Sequence, residues 1–224
     1  MTREEIIARF TRKKLFVIIR DVYGQECLRL AKALADGGIE LAEVTFDPSD
    51  AEKRKKTVQT IRLLRDSLGE RMSVGAGTVT TAEMLFAAKN AGAEFIVSPN
   101  TDAQLIRMTA DSDLISVPGA MTPTEISLAY QSGADFVKVF PASCLGTDYF
   151  KLLHTPLRQI PLWAVGGIRG ENLGAFLAAG AAGAGVGEYL ADKRLIAEGA
   201  FGEITKRAER LTAAVAADRL CNAF

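Results

Sequence analysis

Short apolar runs recur along the chain, and each ends in Gly, Pro or a polar side chain before a stretch of helical periodicity begins. The runs end near Arg20, Thr45, Gly77, Ser98, Pro118, Phe140, Gly166 and Gly187, which predicts eight strand–helix units. After the second run, Val58, Ile61, Leu64 and Leu68 recur at helical spacing, and Ile204, Ala208, Leu211 and Val215 do so near the C-terminus. These stripes are the buried faces of helices, not sites. Helix starts are legible as well. Thr80 with Glu83 reads as a capping box, and Thr122, Pro123 and Glu125 supply an N-cap, a proline at the first helical position and an acid at the third. A further helix is expected over residues 2 to 12. No proline- or serine-rich linker interrupts the series, so the pattern predicts an α/β fold, a single (β/α)8 TIM barrel occupying residues 1–224 with a short N-terminal helix. A doubly wound open sheet is the other arrangement this alternation permits, because strand order is not written in the pattern.

Composition narrows the partners. The 224 residues are 48% hydrophobic, enough for the core of one barrel. Lys plus Arg and Asp plus Glu both number 27, and no basic run follows a helix or strand face, so no nucleic-acid partner is expected. Cys27, Cys144 and Cys221 are odd in number and far apart, which excludes a disulfide framework and a CxxC metal pair and suits a reducing, cytoplasmic setting. The first residues are charged and no apolar run approaches membrane-spanning length, so neither a signal peptide nor a membrane partner is expected.

A barrel gathers its chemistry at the C-terminal ends of its strands. Arg20 closes the first run, Leu15 to Arg20. In the second, Ile39 to Phe46, Glu43 shares a face with Leu41 and Thr45, opposite Ala42 and Val44. In the sixth, Phe136, Lys138 and Phe140 share a face opposite Val137 and Val139, so valines turned toward the helices aim Lys138 into the barrel. An ammonium there is costly, and desolvation drives it toward the neutral amine that attacks carbonyls. The competing readings are a lysine snorkelling from a strand end and a structural Arg–Glu–Lys ion network. His154 is the one histidine and sits in a helical stretch, too few imidazoles for a metal site, so no metal is assigned. Cys144 has no neighbouring base and reads as a small loop residue.

Several strings then carry a resemblance: Glu43-Val44-Thr45, Gly75-Ala76-Gly77-Thr78-Val79, Phe95 to Asn100, Pro118-Gly119 with Thr122 to Glu125, Phe136 to Pro141, and Val165-Gly166-Gly167-Ile168. In this order, from Arg20 to Tyr189, the chain resembles the 2-keto-3-deoxy-6-phosphogluconate and 4-hydroxy-2-oxoglutarate aldolases. The resemblance implies a cofactor-free class I aldolase on a (β/α)8 barrel, commonly a homotrimer, that cleaves a small keto acid to pyruvate and an aldehyde. It implies that Lys138 forms the imine, that Glu43 moves protons through water, and that Arg20 with Thr78 and nearby backbone holds the carboxylate. The residue types suit that chemistry in their own right: an amine for the C2 carbonyl, a carboxylate for proton transfer, a guanidinium for a carboxylate, and Phe140 with Pro141 to keep water out. Pro99 and Pro118 shape a wall or simply end strands.

Departures from the family's pattern bear on the substrate. Backbone amides after Gly166, Gly167 and Gly187 suit an anion, yet Glu188 stands where the family usually has a phosphate-binding serine. Glu188 opposes an anion unless it is only a helix cap, and Arg169 is the residue that would offset it. Val165 is more like the relatives acting on the galactonate-derived epimer, and Asp47 replaces an arginine found in some members. Two other functions stay open on sequence: a phosphate-site barrel isomerase or synthase in which Lys138 acts without an imine, and a catalytically silent ligand-binding barrel.

Overall fold

Each apolar run becomes a strand, and in the computed structural model, which describes residues 1–221, all the paired strands run parallel. They are β1 (Leu15–Ile19), β2 (Leu41–Thr45), β3 (Ser73–Gly77), β4 (Phe95–Val97), β5 (Ile115–Val117), β6 (Gly119–Ala120), β7 (Val137–Val139), β8 (Leu162–Val165) and β9 (Gly183–Val186). Helices alternate with them: α1 (Arg3–Lys13), α2 (Gly24–Asp36), α3 (Ala51–Leu68), α4 (Ala82–Asn90), α5 (Ala103–Asp111), α6 (Pro123–Gln131), α7 (Ala142–Leu157), α8 (Leu173–Ala178), α9 (Lys193–Ala197) and α10 (Phe201–Cys221).

The pairing order is β5-β4-β3-β2-β1-β9-β8-β7-β6. Only Pro118 separates β5 from β6, so these segments are the fifth expected strand, interrupted where proline has no N–H to give. The ring closes across that break. The Phe136 N–H donates to the Ser116 carbonyl at 3.2 Å, and the Lys138 N–H to the Pro118 carbonyl at 2.9 Å. The fold is therefore a (β/α)8 barrel, and the open sheet is excluded.

Alternation along each strand sorts side chains into two cores. Val17, Ile19, Ala42, Val44, Val137 and Val139 face the helices in the outer core. Phe16, Leu41, Phe95, Phe136 and Trp163 fill the barrel, joined by Phe10 from α1. The Phe10 ring stacks on Phe136 with centroids 4.9 Å apart and meets Phe95 edge-on at 5.0 Å. Inward-facing glycines make the room. A Cβ on Gly75 would stand 2.3 Å from the Phe95 ring, and one on Gly185 would stand 2.5 Å from Phe16. Thr2 caps α1 in a capping box with Glu5, and Arg9 ties the helix to the Ser73 hydroxyl at 3.1 Å and the Glu70 carbonyl at 2.6 Å. One end of the barrel is thus sealed by aromatic rings, and the strand C-termini are left to form the other.

Two local expectations are corrected. The α4 N-cap is Thr81, whose hydroxyl accepts from the Met84 N–H, so the box does not start at Thr80. Thr78 turns left-handed after β3, and the chain needs one more extended residue before it can coil. The strands are also shorter than their apolar runs: Ile39, Arg20 and Phe46 lie just beyond the paired segments. The Thr122–Pro123–Glu125 start is as read, with both halves of the capping box formed.

Candidate active site

A cavity of about 540 Å³ opens at the C-terminal ends of the strands, lined by the candidate residues from Arg20 after β1 to Glu188 after β9, Pro118 and Pro141 excepted. At its floor are the two groups the strand pattern aimed inward. Glu43 is 1% exposed and Lys138 is 8% exposed. Burial pushes the Glu43 carboxyl up to about 7, against the pull of Lys138 and Arg20. Burial likewise pushes Lys138 down, opposed by Glu43 and helped by Arg20. No contact of 4.0 Å or less joins either cation to Glu43 among the ion pairs of the described residues. A structural ion network would have closed those contacts, so the three charges are held near one another without cancelling.

Gly77 explains how a glutamate reaches this position. The Glu43 side chain lies across β3 so closely that a Cβ on Gly77 would fall 1.6 Å from Oε1. Any side chain there displaces the carboxylate. Among the described residues no group donates to the Glu43 oxygens; Oε2 is buried without a partner, while the residue itself lines the cavity, so the carboxyl is left to interact with what the cavity holds. The next residue, Thr78, is β-branched yet has φ 55, a conformation such residues rarely adopt. In that pose its hydroxyl accepts from Arg20 Nη2 at 3.4 Å. Strain of this kind, on the order of 1–3 kcal/mol, persists where the surroundings over-determine it.

Phe140 covers Lys138 from one side, its ring centroid 4.8 Å from Nζ, while remaining 40% exposed. It shields the amine on that side only. Pro141 does not line the cavity. Of the two prolines, Pro99 lines the wall, whereas Pro118 is buried in the broken strand. Gly166 and Gly167 have φ 97 and 75, and a Cβ on Gly167 would stand 2.2 Å from the Ser143 hydroxyl.

Glu188 departs from its expected setting. The chain from Gly187 to Ala191 is a turn closed by Leu190 and Ala191 N–H bonds to the Gly187 carbonyl, and α9 begins only at Lys193, capped by Asp192. Glu188 is therefore an exposed cavity-lining carboxylate and caps no helix. Arg169 lines the same cavity, but the two are not within 4.0 Å. Arg207 was not anticipated. It comes from α10, donates to the Tyr189 carbonyl at 3.0 Å and to Asp192 at 3.1 Å, and stacks on the Tyr189 ring at 5.3 Å. Its only sequence signal is a cation flanking the buried Ile204–Ala208 stripe.

His154 is exposed on α7 and Cys144 is exposed in its first turn, both outside the cavity; Cys27 is buried, and the Cys221 side chain lies outside the described ones. Among the described residues no group of three or more His, Cys, Asp or Glu side chains is placed to hold a metal ion, and no helix is long and apolar enough to cross a membrane.

A barrel with an amine and a carboxyl buried at the C-terminal ends of its strands is the frame of a barrel aldolase, and comparison with known proteins agrees. The KDPG and KHG aldolase model matches residues 6–207. The 2-dehydro-3-deoxy-6-phosphogalactonate aldolase of Escherichia coli is 34% identical over 80% of this chain and 85% of its own length. The 2-dehydro-3-deoxy-phosphogluconate aldolase of Haemophilus influenzae is 31% identical over 91% and 93%. The Legionella pneumophila KDPG aldolase, with pyruvate captured as a covalent carbinolamine, superposes with a TM-score of 0.81 at 25% identity, covering 92% of this chain and 97% of that one. The chain belongs to the KDPG and KHG aldolase family, whose members are carbon–carbon lyases.

Proposed function

We propose that the protein cleaves a 2-keto-4-hydroxy acid to pyruvate and an aldehyde through an imine at Lys138. The observation that carries this is the burial of Lys138 and Glu43 in one cavity, beyond ion-pair contact, each pushed toward its neutral form. Arg20, steadied by Thr78, pairs with the substrate carboxylate. The neutral Lys138 amine adds to C2 and water is lost, leaving an iminium. Glu43, as carboxylate, takes the C4 hydroxyl proton through water. The C3–C4 bond breaks, its electrons pass into the iminium to give an enamine, and the aldehyde leaves. The protonated Glu43 then returns a proton to C3, and water hydrolyses the imine to pyruvate and free Lys138. A carboxyl near 7 is matched to both directions of that transfer. Pyruvate with borohydride tests the proposal: one reduced pyruvyl group at Lys138, found by intact mass and peptide mapping, is expected. Trapping at another lysine, or none, defeats the imine.

The far end of the cavity bears on the aldehyde half. Arg207 is matched by Asp192, and Arg169 and Glu188 bring one charge of each sign, so this end has no net charge to offer a dianion. A phosphate 4 Å from Glu188 would be opposed by at most about 4 kcal/mol per unit charge at an effective dielectric near 20, and by nearer ~1 kcal/mol because Glu188 is exposed. We read the substrate as an unphosphorylated 2-keto-3-deoxy sugar acid whose hydroxyls donate to Glu188, with Val165 in the wall favouring the galactonate-derived epimer. We further read residues 1–224 as one domain of a cytoplasmic homotrimer. The exposed Phe86, Met121, Leu128 and Tyr130 support association, and a monomeric mass by light scattering would exclude it.

A further inference from the structure

Asp21 follows the carboxylate-binding arginine directly and has φ 57, a conformation a glycine would adopt without cost. Its side chain is the hub of an ion network outside the cavity. Oδ1 accepts from Lys53 at 3.0 Å and from the Tyr23 hydroxyl at 3.4 Å, and Oδ2 accepts from Lys193 at 3.4 Å. Lys53 also reaches Asp47 at 3.1 Å, and Asp47 is fixed by Ser49 through both its N–H, at 3.0 Å, and its hydroxyl, at 2.6 Å. Three separate segments meet in this network. Asp21 follows β1, the strand before Arg20; Asp47 follows β2, which carries Glu43; Lys193 opens α9, just after the turn that holds Glu188.

We propose that Asp21 is a positioning residue: clamped by Lys53 and Lys193, it fixes the loop after β1 so that Arg20 meets Thr78 and the substrate carboxylate, and it locks that loop to the rims of β2 and β9. The inference rests on the aldolase reading for its kinetic test but not for its structural one. Asp21 and Lys53 are about one-third exposed, at 34% and 38%, and Lys193 is 64% exposed, so each pair alone is weak. The network acts by fixing geometry, where small displacements of a binding group are costly. The ionised form of Asp21 is favoured chiefly by its Lys53 hydrogen bond, with burial opposing, so the clamp holds at neutral pH.

Asp21→Gly separates side chain from backbone, since it keeps the left-handed turn and removes the clamp. The expected result is a rise of about five- to tenfold in KM for pyruvate in methyl-proton exchange with kcat within about twofold, a scale that corresponds to one or two exposed ion pairs. The ratio of variant to wild-type KM should shrink in ~1 M salt, where the wild-type clamp is screened. Lys53→Met should repeat the effect and Lys53→Arg restore it. Asp36→Asn, which breaks an exposed pair with Arg71, is the silent control. A crystal structure of Asp21→Gly should show Arg20 displaced from Thr78. An unmoved Arg20, or an unchanged KM, overturns the proposal. If wild-type protein traps no pyruvate, the aldolase reading fails, while the Arg20 displacement still decides this one.

Discussion

The two ends of this barrel are built by one device and filled with opposite chemistry. At the end under α1, inward glycines leave room for rings: Gly75 for Phe95, Gly183 for Trp163 and Gly185 for Phe16. At the other end Gly77, on the same face of β3 as Gly75, leaves room for the Glu43 carboxylate. The first end gains from burial, since each paired ring contributes roughly 0.5–1.5 kcal/mol beyond its area. The second loses by it, because a carboxyl and an amine are desolvated without closing an ion pair. The lesson is that stability and reactivity are separated along the barrel axis, and single substitutions should separate them too.

Lys138→Met is the sharpest such test. Turnover should fall by on the order of 10⁴-fold or more, as for loss of a covalent nucleophile, and the borohydride adduct should vanish. Thermal stability should hold or rise, because an apolar chain of similar length replaces a desolvated amine. A large loss of stability would show that Lys138 is a structural partner of Glu43. At the opposite end Phe10→Ala should do the reverse. It removes a fully buried ring touching Phe136, Phe95 and Trp163, and chemical denaturation should report a loss of about 3–5 kcal/mol, with kcat of the folded protein little changed. A variant that stays stable but inactive would mean the plug shapes the site.

This division also explains what could be read in advance. The strand–helix series was legible, and alternation along β1, β2 and β7 sorts side chains cleanly, valines outward and Lys138 and Glu43 inward; closure of the sheet was not, because strand order is not written in the pattern. The candidate residues were legible because barrel chemistry is confined to strand ends, which are marked by the punctuation of the pattern itself. What escaped was information carried by contacts distant in sequence. Arg207 joins the site from the last helix, and nothing local announces that α10 packs beside the β9 turn. Of the two readings of Glu188, an acid opposing an anion or a helix cap, the cap fails. The turn closed by the Gly187 carbonyl, with α9 delayed to Lys193, is a backbone fact that residue types alone do not encode.

Glu43→Gln probes the reactive end more gently. The imine should still form, while exchange of pyruvate methyl protons with deuterium slows at least ~10²-fold. Stability should show the charge directly. The wild-type carboxyl is raised to about 7 in the fold from an unfolded value near 4.5, so the native state holds its proton more tightly. Its contribution is complete below pH 4.5 and is lost as pH climbs through 7, a difference of up to about 3 kcal/mol. Denaturation across that window should show wild-type stability falling relative to Glu43→Gln. Parallel curves would mean that Glu43 ionises freely and that its burial does not tune it.

The smallest effect is expected at the cavity's far end, where the comparison between regions becomes a question of substrate. Glu188 and Asp192 balance Arg169 and Arg207, so removing one carboxylate should tip the balance toward anions. Glu188→Ser should raise kcat/KM for a phosphorylated keto-deoxy sugar acid relative to its unphosphorylated counterpart by roughly tenfold, the scale of one partly exposed charge contact worth about 1.4 kcal/mol. Both substrates must be measured in both proteins, since a uniform change in activity would reflect the turn and not the charge. The Tyr189–Arg207 stack, the Arg207 bond to the Tyr189 carbonyl and the Asp192 cap hold that turn without the residue 188 side chain, so its backbone should survive. If the parent protein already prefers the phosphorylated acid and the substitution alters neither value, then Arg169 and Arg207 outweigh both carboxylates. The far end would then be an anion site after all, with Glu188 a bystander on its rim.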